Sequence, residues 1–325
     1  MLSLSAFIVG YLLDLALGDP PHWPHPVRWM GNAITGLQRL IRRYCRSERL
    51  LYIGGGVLWV VVVGGSWLAT AILLRLLAFS PGLHWFAEAW LTYTLLATRC
   101  LRDAAMTVYH ALRAGSLEES RKQLSYIVGR DTQDLTRPQI MRAVVETVAE
   151  NSIDGVIAPL FWLFIGGVPL AMAYKAVNTL DSMVGYRTPK YQAIGCVSAR
   201  LDDVANWLPA RIGWMLLALS AGLLRLDGRS AWRIGWRDRY QHKSPNCAWS
   251  EATVAGALGV RLGGPNNYFN QRVEKPWIGE ERREIALEDI SAAIRLMYAA
   301  SGLMLVLLCL LRVGAAVFFN GAAGI

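Results

Sequence analysis

Residues 52–79 run for 28 positions with a single charge, Arg75. A helix needs about 20 mostly apolar residues to cross the hydrocarbon core of a bilayer. Only a helix or a closed barrel satisfies its backbone hydrogen bonds there. The run at 83–101 also qualifies, and the Ser80-Pro81-Gly82 break between the two predicts a helical hairpin. Residues 296–319 qualify and lead into an uncharged tail, and residues 207–226 qualify despite Arg211 near their start. The first run, 2–17, meets Gly18-Asp19-Pro20-Pro21, where proline lacks the backbone donor and restricts the residue before it. No Lys or Arg precedes that run and no small-x-small cleavage site follows it, which predicts an uncleaved membrane helix rather than a signal peptide.

The sixth run, 153–177, is apolar but interrupted by Pro159, Gly166-Gly167 and Pro169. Spans broken in this way line cavities as pairs of half-helices. The expected architecture is therefore all-α: a polytopic integral membrane helical bundle over residues 1–325. It has about four to six membrane-embedded segments, one broken or re-entrant, and cytoplasmic helical loops.

The apolar fraction of 54% agrees with a bundle, and thirteen Trp with twelve Tyr suit interfacial anchoring. The net charge of +9 does not point to nucleic acid, because the basic residues are spread over several polar segments that each follow an apolar run. Segment 18–51 carries six Lys or Arg, 102–152 seven, 175–206 four and 225–295 twelve. The positive-inside rule places the first, second and fourth in the cytoplasm. Segment 175–206 lies outside if its two flanking runs each cross once, and inside if both are re-entrant. Cys45, Cys100, Cys196, Cys247 and Cys309 are far apart with no CxxC spacing, which predicts free thiols and no zinc site.

Thr136-Arg137-Pro138-Gln139 has the form of a helix start, with a Thr N-cap, Pro in the first turn and Gln three residues on. The helix after it carries Arg142, Glu146 and Glu150 on one face. Around the broken run stand Glu146, Glu150, Asn151 and Asp154, then Lys175, Asn178, Asp181, Ser182, Tyr186, Arg187 and Lys190, then Arg200, Asp202, Asp203 and Asn206. Ionisable groups next to lipid are costly unless paired or ligated, so they are functional candidates. Hard oxygen donors of this kind suit Mg²⁺, and Asp181, Asp202 and Asp203 are the expected ligands. Plainer readings stand beside these. Glu146 and Glu150 would pair with Arg142, Asp202-Asp203 would cap a helix at Trp207, and Lys175 would snorkel from the end of an apolar helix.

Familiar phosphate and hydrolase devices are missing: there is no GxxxxGK[ST], GxSxG or HExxH. His22 and His25 sit in a proline-rich stretch and suit a structural or substrate-contact role better than metal. Small residues from Ala255 to Gly264 allow close backbone approach to a ligand or a helix, whereas Ser244, Asn246, Arg261 and Tyr268 are less easily explained by packing.

Several strings together resemble the cobinamide synthase family of adenosylcobalamin biosynthesis. They are Gly18-Asp19-Pro20 with His25-Pro26-Val27, Gly129-Arg130-Asp131-Thr132, and Arg142-Ala143 through Glu146 and Glu150-Asn151 to Asp154-Gly155-Val156. Ala158-Pro159-Leu160-Phe161, Tyr174 to Met183, Gly185-Tyr186, Ala199 to Asp203 with Asn206, and Pro209-Ala210-Arg211 continue the series. Ser244-Pro245-Asn246 and Leu262-Gly263-Gly264-Pro265 close it, so the resemblance covers nearly the whole chain.

The resemblance implies a multi-pass enzyme of the bacterial inner (cytoplasmic) membrane. It would be an acid–amine ligase that joins adenosylcobyric acid to aminopropanol or its phosphate at the expense of ATP, with Mg²⁺. Glu146 or Asp154 would take the proton of the amine and Lys175 would stabilise the oxyanion. Arg130, Arg200 and Arg211 would hold phosphates, and His25, Asn151, Asn178, Ser244, Asn246 and Arg261 would contact substrate or phosphate. Because ATP is cytoplasmic, segment 175–206 would then reach the cytoplasm. Partners would be the lipid bilayer and neighbouring cobalamin-pathway enzymes. The competing classes are a membrane sensor of the same superfamily and a transporter. A sensor has no need of Asn178, Asp181, Asp202, Asp203 and Asn246 together, and a transporter would show a second broken helix.

Overall fold

The computed structural model describes residues 2–20, 23–186, 188–268 and 271–322. His22 and Arg187, singled out above, lie outside the described residues, as does the side chain of Tyr268. In chain order the helices are α1 (Leu4–Leu17), α2 (Pro26–Tyr44), α3 (Glu48–Trp59), α4 (Gly65–Leu77), α5 (Pro81–Leu95), α6 (Thr98–Arg113) and α7 (Leu117–Ser125). They continue as α8 (Arg137–Ser152), α9 (Ala158–Val184), α10 (Cys196–Ala205), α11 (Trp207–Leu223), α12 (Gly228–Arg237), α13 (Cys247–Leu258) and α14 (Glu288–Ala322). Four three-residue strands, β1 (Arg261–Gly263), β2 (Asn266–Tyr268), β3 (Gln271–Val273) and β4 (Trp277–Gly279), form two antiparallel pairs, β1 with β4 and β2 with β3.

Three stretches are long and apolar enough to cross a membrane: Glu48–Leu77, Arg137–Val184 and Glu288–Phe318. Two shorter apolar helices, Leu4–Leu17 and Trp207–Leu223, accompany them. The outward faces agree with this, since Glu48–Leu77 exposes Ile53, Val57, Val60, Leu68 and Leu76, and α14 exposes Val306, Leu310 and Val317. Stripes of that size are covered by lipid or by another protein rather than by water. The chain is an all-helical membrane protein.

The chain divides into two compact units, Met1–Ala97 with Ala158–Asn206, and Thr98–Ile157 with Trp207–Ile325. In the first unit α1 lies on α5, while α2, α4, α5 and α10 pack against α9. The break expected in the apolar run after residue 153 is present in α9. Gly166 (φ −136°, ψ 18°) and Gly167 (φ 65°, ψ −163°) leave the helical region, and Pro169 begins the following half-helix. A positive φ is open to glycine at little cost, and proline suits a first turn because its missing N–H has no partner there anyway. Pro159 sits in the first turn of α9 and causes no break. The apolar stretch 83–101 is divided: α5 stops at Leu95 with Leu96 extended, and α6 starts at Thr98. Glu48–Leu77 is continuous, with a π-helical turn at Val60–Gly64 between α3 and α4.

In the second unit α13 packs against α8, α11 and α12, and every residue of α13 beyond Cys247 is buried. Helix α14 lies against α6, α8 and α11. The start of α8 is the expected capping box: Gln139 Oε1 accepts from the Thr136 backbone N–H at 2.8 Å. The helix ends in a π-turn at Ile153–Ile157, which holds Asp154.

Candidate active site

In the first unit, the second half of α9 carries Lys175, Asn178 and Asp181, and the packing of α10 on α9 brings Asp202 to Asp181. Asp202 is buried. Its Oδ2 accepts from Asn206 Nδ2 at 3.1 Å, and Asn206 Oδ1 accepts from the Tyr174 hydroxyl at 2.8 Å. Its Oδ1 is buried and has no hydrogen-bond partner among the described residues. Burial, followed by the charge of Asp181, pushes the Asp202 carboxyl up to about 7. The Asn206 hydrogen bond opposes the shift, Asp203 adds to it, and Asn178 opposes it.

An orphaned buried oxygen facing a second carboxylate is what a divalent cation would satisfy. Among the described residues no three His, Cys, Asp or Glu side chains form a metal-binding group. Consecutive residues on a helix point about 100° apart, so the converging pair is Asp181 with Asp202, and Asp203 stands to its side. That pair fits Mg²⁺, which takes one or two carboxylates and completes its shell with water and substrate phosphates. The alternative of an Asp cap for the helix at Trp207 does not hold, because both aspartates lie within α10, whose C-cap is Asn206.

His25 caps α2, its Nδ1 accepting from the Val27 N–H at 3.3 Å, with Pro26 in the first turn. Burial lowers its pKa, against Asp19 and with Lys175 and Arg28 contributing, so the ring is held neutral and the Lys175 charge is close enough to act on it. Arg200 is exposed on α10.

In the second unit Glu146 does not pair with Arg142, the partner expected from helix spacing. Its Oε2 meets Arg130 Nη2 at 2.5 Å, and its Oε1 accepts from the Gly263 N–H at 2.7 Å. Arg130 also donates to Asn266 Oδ1 at 3.0 Å. Both Glu146 oxygens therefore tie the Gly263-Gly264 loop to α8, which makes this residue a clamp rather than an acceptor for a substrate proton. The loop requires glycine: Gly263 and Gly264 have φ of 72° and 80°, and a Cβ on Gly264 would lie 2.5 Å from the Trp277 ring.

Glu150 accepts from the Cys247 thiol at 3.2 Å. Burial, then Glu150, Asp154 and Glu251, raise the Cys247 pKa. Glu251 on α13 is pushed well above the usual carboxylate range by burial and by Glu146 and Glu150, with Lys275 and Arg130 opposing. Asn151 donates back to the Thr147 carbonyl at 3.0 Å. Arg211 donates to Asn246 Oδ1 at 2.7 Å and stacks on Trp207 and Trp249, while the Asn246 N–H donates to Ser244 Oγ at 3.3 Å. Arg261 pairs with Glu281 at 2.9 Å and lies over Trp277.

The structure thus groups His25 with Lys175, Asp181 with Asp202 and Asn178, Arg130 with Glu146, and Arg211 with Ser244 and Asn246. The sequence reading gave no role to Asn206, Glu251 or Trp277. Asn206 stood in its polar constellation at i+4 from Asp202 on α10, a spacing that was itself the signal.

Comparison with known proteins agrees with this polar framework. The model of the CobD/Cbib protein family matches residues 7–297. A Photorhabdus laumondii "Cobalamin biosynthesis protein CobD" is 64% identical over 312 residues, covering 96% of this chain and 98% of its own. The Yersinia enterocolitica protein of the same name is 66% identical, covering 95% and 98%. The Salmonella typhimurium "Cobalamin biosynthesis protein CbiB" is 60% identical, covering 96% and 98%. No solved structure matches the chain. The chain belongs to the CobD/CbiB family of cobalamin biosynthesis proteins.

Proposed function

We propose that the chain is an ATP-dependent amide ligase of the bacterial inner membrane, joining adenosylcobyric acid to aminopropanol or aminopropanol phosphate. The observation that carries this reading is Asp202. It is a buried carboxylate with an orphaned oxygen, set against Asp181 in a chain of a cobalamin biosynthesis family. Such a group suits a site that handles phosphate with a divalent cation.

The propionate carboxylate of the corrinoid is a poor electrophile. One of its oxygens attacks the terminal phosphorus of ATP, ADP departs, and the amine nitrogen then attacks the acyl carbon. Phosphate leaves with the C–O electron pair and the nitrogen loses a proton. Asp181 and Asp202 would hold Mg²⁺, which when bound neutralises charge on the phosphate oxygens. Asn206 and Tyr174 fix the orientation of Asp202. Lys175 is the cation of the first unit suited to steady oxyanion charge. With Glu146 committed to Arg130 and Gly263, the half-buried Asp154 is the proton acceptor of the second unit.

The test is turnover by detergent-purified protein with adenosylcobyric acid, ATP, Mg²⁺ and each form of the amine, read by mass spectrometry. Amide should form only with ATP, and Asp202→Asn should abolish it at an unchanged melting temperature. Normal turnover by that variant would remove Asp202 from the site.

A further inference from the structure

Arg142, midway along α8, is a half-buried guanidinium with no hydrogen bond and no ion pair among the described residues. Its Nε is enclosed and without a partner. The carboxylate one turn on, Glu146, is taken at both oxygens by Arg130 and the Gly263 N–H. What Arg142 does touch is Trp277, its guanidinium carbon lying 4.7 Å from the ring centroid. Arg261 lies 4.1 Å from the same centroid, but Glu281 answers its charge at 2.9 Å. One positive charge is left over, and a partly desolvated charge without a partner is costly to the fold.

That charge borders a cleft of about 340 Å³, lined among others by Gln139, Asn266 and Trp277, a size in the range of small-molecule sites. Asn266 is committed at both ends: its Oδ1 accepts from Arg130, and its Nδ2 donates to the Gly264 carbonyl at 3.0 Å. It therefore shapes the wall. Gln139 uses its carbonyl oxygen in the α8 cap, which leaves its NH₂ group as a donor. Asp131 and Asp134 also line the cleft. They disfavour a bare polyanion and select an anion that travels with positive charge.

We propose that this cleft is a phosphate-binding subsite, in which Arg142 receives a phosphate group that is accompanied by a cation or an ammonium. Guanidinium forks match phosphate geometry, and the Trp277 face holds the fork in place. Only the physiological source of the phosphate rests on the ligase reading. It is either a small phosphorylated amine, with its own ammonium facing Asp131 and Asp134, or a metal-bound nucleotide.

Calorimetry on the detergent-purified full chain separates the sources. The probes are 2-aminoethyl phosphate, ethanolamine as the phosphate-free control, and Mg²⁺ with a non-hydrolysable ATP analogue. One phosphorylated probe should bind and weaken about ten- to hundredfold in Arg142→Gln, because a charge-assisted hydrogen bond is lost. Arg142→Lys keeps the charge without the fork and should fall between. The melting temperature of ligand-free Arg142→Gln should match or exceed that of the parent, since no protein partner is lost. Failure of both phosphorylated probes to bind the parent, equal binding by Arg142→Gln, or a melting temperature several degrees lower would each overturn the subsite. The ligase reading fails separately: no amide from a parent protein that still binds phosphate through Arg142 would remove the ligase and leave the subsite.

Discussion

Replacing Glu146 with Ala removes two contacts at once, the ion pair to Arg130 and the acceptor for the Gly263 N–H. The side chains of the pair are 11% and 5% exposed, so water replaces neither partner well. Stranding one member of a buried pair costs about 3–5 kcal/mol. Arg130 keeps its bond to Asn266, which argues for the lower end, about 3 kcal/mol. The local effect is sharper. Loss of a hydrogen bond to a charged acceptor, about 1.5–3 kcal/mol, corresponds to roughly ten- to hundredfold faster amide exchange at Gly263. Hydrogen–deuterium exchange by mass spectrometry over residues 259–266 reads this directly. Removing both charges together, as Arg130→Met with Glu146→Gln, should recover most of the global loss, because no buried charge is then left alone. Unchanged exchange over that loop in Glu146→Ala, with a melting temperature within error of the parent, would refute the clamp.

Asp202 predicts a pH dependence. Its folded pKa of about 7 lies above an unfolded carboxyl near 3.9, so folding takes up a proton. Stability measured with EDTA should therefore be greatest below pH 4, decline as pH rises from about 4 to 7 and level off above, a slope absent from Asp202→Asn. Substituting Gly264 with Ala puts a Cβ 2.5 Å from Trp277 at a φ of 80° and should destabilise by about 1–3 kcal/mol in thermal unfolding. Maleimide at neutral pH should label exposed Cys100 well before Cys247, whose thiol is kept protonated by burial and three carboxyl neighbours; equal rates would contradict that environment.

The membrane-spanning stretches were legible because hydrocarbon imposes a length and a composition that few other environments demand. The α9 break was legible for a similar reason, since Gly166-Gly167-Pro169 leaves the backbone little choice. The end of α5 was not, because Leu96-Ala97 carries no breaking residue and the apolar pattern runs on through it. Nor were the three-residue strands β1 and β4, whose pairing joins positions 261–263 to 277–279. In the site, residue type pointed to Asp181 and Asp202, but helix spacing misdirected the reading of Glu146. Arg142 is four residues from it, whereas the observed partners, Arg130 and Gly263, are 16 and 117 residues away. Long-range packing decides such pairs, and local periodicity carries no record of it.

The central claim is best tested by the fate of the substrate carboxylate. Adenosylcobyric acid labelled with ¹⁸O in its free propionate is incubated with the purified protein, ATP, Mg²⁺ and aminopropanol phosphate. Amide formation with one ¹⁸O in the released inorganic phosphate is the predicted result, since the activated oxygen departs with phosphate. No amide from folded protein with either form of the amine would contradict the ligase.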